Sequence, residues 1–170
     1  MDDAALFALS TRTALRGLAR NRHLLDVVAR QGEAVLGARL ADGQFALGEQ
    51  IEIATGFALR CVMPCIGQMS GQAEGARSVG SLGARMTDAA RRIAAVTETD
   101  FDGASGRVVR HRAGDAVLTQ DVADYLLTFA IPNLWFHISM AYAVLRAEGI
   151  AVGKADFDGL HSYPEGFSFV

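Results

Sequence analysis

From Tyr125 to Leu145 the chain reads YLLTFAIPNLWFHISMAYAVL and carries no Asp, Glu, Lys or Arg. A run this apolar has to be buried. The Asn133 amide and the His137 imidazole lie in its middle, four residues apart and so on one helical face. Each has to find a partner there. The run is also long enough to span a bilayer. In a membrane, however, Pro132, Asn133 and His137 would fall near the midplane, where polar groups are costly. The rest of the chain supplies amphipathic helices able to cover the run. The expectation is therefore a core helix and no membrane span.

A chain of 170 residues fits one domain with a sizeable core. Its 51% hydrophobic and 21% charged residues indicate a globular chain rather than a disordered one. Only three prolines are present, which favours helices. The net charge of −3 gives no global field for nucleic acid or anionic lipid. The one basic stretch, Arg107 to Arg112, reads as an exposed strand edge, where charge discourages aggregation. Cys61 and Cys65, in CVMPC, are too few for a disulfide framework and lack C-x-x-C spacing. They are read as apolar core thiols in a reducing, cytoplasmic compartment. The start, MDDAALFALS, has no basic n-region, so no secretory signal is expected.

Hydrophobic spacing predicts helix one over 3–31, with Leu6, Leu18, Leu25 and Val28 on its stripe and a bend at Gly17 and Asn21. Helix two is expected over 45–68, kinked or ended by Pro64. Ser78 caps helix three, 79–97, whose Leu82, Met86, Ile93 and Val96 repeat at threes and fours. Residues 105–119 change to a strand period around Gly114, which reads as a hairpin. Thr119 or Asp121 opens helix four, Pro132 kinks it near 128–131, and Gly149 ends it. With no repeats and no linker, residues 1–170 form one domain.

Four long helices imply an all-α helix bundle with a short β-hairpin before the last long helix. Helix four is apolar nearly all round, so extra elements or a second subunit must cover it. A homodimer through helix two, helix four or both is expected, with no nucleic-acid and no membrane partner.

The segment DYLLTFAIPNLWFHISMAYAVLRAEGIAVGKADFDG carries a recognisable pattern. Its elements are Pro132, Asn133, Phe136 and His137, then Ala141, Tyr142, Leu145 and Arg146, then Gly149, Gly153, Lys154, Asp156 and Phe157. With LGEQIEIATGFA in helix two, which holds Gln50, it resembles a bacterial family of unknown function among the DinB/YfiT-like four-helix bundles. The resemblance covers about 3–159 and leaves 160–170 as an extra tail. It implies that superfamily's bundle and, in many members, a metal held by three histidines. One of these comes from helix two and two from an H-x-x-x-H pair on helix four. Here His137 stands where such a pair would begin, but position 141 is Ala141, and 45–66 contains no histidine. Glu49, Glu52 and Cys61 are other donor types, yet no spacing joins them to His137. One imidazole does not make a zinc site, so neither metal nor cofactor is expected.

The candidate pocket is His137, Asn133 and Gln50 between helices two and four, with Tyr142 as a wall residue. An imidazole there can bind a polar or anionic small molecule, or act as a base near neutral pH. The plain alternative is a core imidazole paired within the bundle. Phe157, with Lys154 or Asp156, is read as a clasp on the bundle, and His23 and His161 as surface residues. Function is expected to be that of a metal-free small-ligand-binding or structural module. The alternative implied by the resemblance is a metal-dependent hydrolase or thiol-transferase-like enzyme using His137. A third reading has helix four recruiting a partner chain.

Overall fold

In a computed structural model that describes residues 1–71, 75–164 and 167, helix α1 (Asp3–Gln31) runs unbroken for 29 residues. Asp2 caps it by accepting a hydrogen bond from the Ala5 amide at 2.8 Å. The helix is not interrupted at Gly17 or Asn21, and both residues serve contacts across the bundle. A side chain at Gly17 would meet Leu134 Cδ2 at 2.7 Å, so glycine there permits close approach. Asn21 is fully buried and donates to the Ile51 carbonyl at 2.8 Å and to Thr55 Oγ1 at 3.1 Å.

Helix α2 (Leu47–Arg60) is shorter than its apolar pattern suggests and gives way to a 3₁₀ turn at Met63–Ile66. Pro64 lacks the N–H that would reach the Arg60 carbonyl. The Tyr125 hydroxyl donates to that carbonyl instead, at 3.1 Å. Helix α3 (Val79–Ala94) starts as read, with Ser78 Oγ accepting from the Ser81 amide at 3.1 Å, and buries Leu82, Met86, Ala89 and Ile93. Strands β1 (Val108–Ala113) and β2 (Ala116–Asp121) form the expected antiparallel hairpin, with Gly114 at φ 61° in its turn.

Helix α4 spans Val122–Ala147, opened by Asp121 and followed by Gly149 at φ 73°. Where a kink was expected, Tyr125–Ala130 widens into a π-helical turn just before Pro132. A π turn is one way a helix absorbs a residue that breaks its hydrogen-bond ladder. The helix is long and apolar enough to cross a membrane by length and composition. In the bundle it packs chiefly on α2 and also on α1, burying Leu134, Ile138, Ala141, Val144 and Leu145. A short helix, α5 (Lys154–Asp158), closes the end.

The contacts fix the helix directions. Gln50 meets His137 and Arg60 meets Tyr125, so α2 and α4 are antiparallel. Glu49 and Glu52 in the first turns of α2 both meet Arg77 at the entry to α3, so α2 and α3 run parallel. The connection between them therefore crosses back along the bundle.

Phe157 docks as read, edge-on to Trp135 and Tyr142 at 5.8 and 5.9 Å. His23, read as a plain surface residue, is instead half-buried and pairs with Asp156 at 2.7 Å, which ties α5 to α1. Lys154 takes no part in that clasp. In the tail, Phe167 stacks on Tyr163 at 4.6 Å, whereas Phe169 and Val170 lie outside the described residues.

Candidate functional site

The seam between α2 and α4 brings two of the four candidate residues together. His137 Nδ1 lies 2.7 Å from Gln50 Oε1, and the two residues are 7% and 2% exposed. An amide oxygen only accepts, so Nδ1 carries the proton and Nε2 keeps its lone pair. Phe57 stacks on the ring at 5.6 Å, and Phe136 meets it edge-on at 5.1 Å. Burial, assisted by the positive charge of Arg60, pulls the imidazole pKa down to about 4. His137 is therefore neutral near pH 7.

The other two candidates do not join this pair. Asn133 shares the helical face, but its amide donates along its own helix to the Phe129 carbonyl at 2.7 Å, inside the widened turn. Tyr142 lies five residues past His137 and so well round the helix. Its hydroxyl donates to the Val152 carbonyl at 3.4 Å and its ring packs on Phe157. Those contacts make it part of the α5 clasp.

An aromatic layer that the sequence did not single out continues the seam. Phe57 meets Phe129 at 5.7 Å, and Phe129 lies 4.1 Å from His111 of β1. His111 Nε2 sits 2.7 Å from Gln120 Oε1, while the Gln120 amide nitrogen donates to Asp124 and Thr128. Nε2 is thus the donor, and Nδ1 is left buried without a partner among the described residues. His111 was read only as part of a basic strand, because its aromatic neighbours are remote in sequence.

The donor set does not fit the three-histidine metal. Among the described residues no three His, Cys, Asp or Glu side chains converge on one point. Glu52 is held by Arg77 and Arg85, and Glu49 Oε2 accepts from the Ala46 amide at 2.7 Å. Both cysteines are buried free thiols. Burial raises both pKa values, that of Cys65 to about 12, so neither is a thiolate nucleophile near neutral pH.

A cavity of about 660 Å³ opens between α2 and α3 rather than at His137. Ile53, Leu59 and Leu82 give it an apolar floor, and Arg60, Arg77, Arg85 and Arg92 stand around it with the carboxylates of Glu52 and Asp88. Sequence reading missed it because the parallel packing of α2 on α3 depends on a crossover that no local pattern encodes.

No curated protein matches the chain. Among solved structures, it resembles the crystal structure of a DinB family member protein from Shewanella denitrificans, with a TM-score of 0.79 and 26% identity. The match covers 95% of this chain and 96% of that one. The fold is thus the DinB-like bundle, as the resemblance in the C-terminal segment implied. The model of a domain of unknown function, DUF1993, matches residues 6–158, and the chain belongs to that family.

Proposed function

We propose that this domain is a small-molecule-binding module that works without a metal, and that it binds its ligand between α2 and α3. The observation that carries this reading is the cavity itself. At about 660 Å³ it lies within the range of roughly 300–1,000 Å³ usual for ligand sites, and it has the usual apolar floor with a few polar groups. An enzymatic role for His137 has less support. An imidazole with a pKa near 4 is a weak base, and among the described residues its recorded partners are the Gln50 amide and phenylalanine rings. In this reading His137 and Gln50 are a structural pair beside the site.

A thermal-shift screen of small acids, amides and amines tests the proposal. A ligand at 100 times its Kd stabilises the native state by about 2.7 kcal/mol. At least one chemical class is expected to raise the Tm by several degrees. If no class moves it, the binding reading fails.

We further infer a homodimer through the face of α4 beside His137. Its support is two large exposed rings, Phe45 at 53% and Phe136 at 55%, that flank one imidazole. Light scattering should give twice the chain mass for the native protein and a monomer for Phe136→Asp. A native monomer at micromolar concentration would refute the inference.

A further inference from the structure

We propose that the α2–α3 cavity selects a small organic anion, whose oxyanion is taken by Arg60 and Arg92 and whose apolar body lies over Gly56 between Leu59 and Leu82. This rests on the binding role proposed above and adds the class of ligand.

The charges around the cavity divide into two groups. At the end where α2 and α3 begin, Glu52 accepts from Arg77 Nε at 2.5 Å and from Arg85 Nη1, and Glu49 lies 3.6 Å from Arg77. Two arginines face two carboxylates there, and that end is neutral. Asp88 also lines the cavity, and its carboxylate is taken by Arg91 at 2.6 Å. The last turns of the two helices carry Arg60 and Arg92, and neither has a carboxylate partner among the described residues. Arg92 donates to the carbonyls of Ser70 and Met69 at 3.0 and 3.3 Å, which fixes the guanidinium and leaves donors over. The Arg60 guanidinium lies 4.7 Å from the Phe57 ring centroid, and no hydrogen bond or ion pair holds it among the described residues. Two positive forks beside an apolar floor favour a carboxylate or phosphate carried on an apolar body.

Gly56 supplies a second, independent observation. Glycine inside a helix costs about 1 kcal/mol relative to alanine. Gly17 has a packing reason, since a side chain there would meet Leu134 Cδ2 at 2.7 Å, whereas a Cβ at Gly48 or Gly80 would make only ordinary contact, at 3.4 and 3.9 Å. Gly56 has no packing reason, because a Cβ there meets nothing within 4 Å among the described residues. The residue lines the cavity wall, and its missing side chain keeps that space open.

Calorimetric titration with 2-naphthoate, 2-naphthyl phosphate and 2-naphthamide, which share one body, tests the proposal and separates the two oxyanions. At least one anion is expected to bind tenfold or more tighter than the amide. Arg60→Gln should weaken that anion at least tenfold and leave the amide within twofold. Gly56→Leu, which raises helix propensity and so keeps the fold, should abolish binding of all three. Equal affinity for anions and amide, or an Arg60→Gln variant that binds the anion normally, would overturn the charge selection and leave the binding role standing. Absence of binding by all three, or binding that survives Gly56→Leu, would remove the site itself.

Discussion

Between about pH 6.5 and about pH 4 the protein is expected to lose on the order of 3 kcal/mol of stability through His137. In the unfolded chain the imidazole titrates near 6.5, and in the bundle burial and then Arg60 bring it to about 4. Over that window the unfolded state binds the extra proton. The stabilisation is therefore complete above pH 6.5 and is lost as the pH falls. Denaturant midpoints across this range check the slope, which should flatten in His137→Leu. A slope unchanged in that variant would assign the titration to another group. Gln50→Leu strands the buried Nδ1–H and should cost about 1–3 kcal/mol at pH 7. Replacing both residues with leucine should cost less than the two single changes summed, because a pair removed together leaves no orphan.

Leu134→Ala is expected to destabilise the bundle by about 2–5 kcal/mol, the range for emptying a fully buried leucine site. The loss should depend on the residue at position 17. In the native protein Gly17→Ala drives a methyl to 2.7 Å from Leu134 Cδ2 and should destabilise, since overpacking outweighs a helix-propensity gain of about 1 kcal/mol. With Leu134 cut back to alanine, the same methyl enters vacated space and should stabilise. Thermal or denaturant unfolding of the four proteins in this cycle measures the coupling. Additive effects would show that α1 and α4 do not meet at this contact.

The helices were legible because their signals are local. Ser78, Asp121 and Gly149 mark ends by capping chemistry, and the stripe of α3 repeats at threes and fours. The boundary of α2 was not, because it depends on Tyr125 taking over the Arg60 carbonyl from 65 residues away. Gln50 and His137 could be chosen as residue types, yet their meeting is set by the antiparallel packing of α2 on α4. Asn133 and Tyr142 looked equally polar in sequence, and each turned out to serve a contact of its own helix or of α5. The cavity lay furthest from reach. It arises between helices joined by a crossover, and its most telling wall residue is a glycine.

Elemental analysis of tag-free protein, purified without chelator and measured beside His137→Ala, tests the metal-independent reading most directly. Well under one equivalent of any divalent metal in both proteins is the expected result. One tightly held ion per chain, lost in the variant while the fold stays intact, would contradict it and make His137 a ligand.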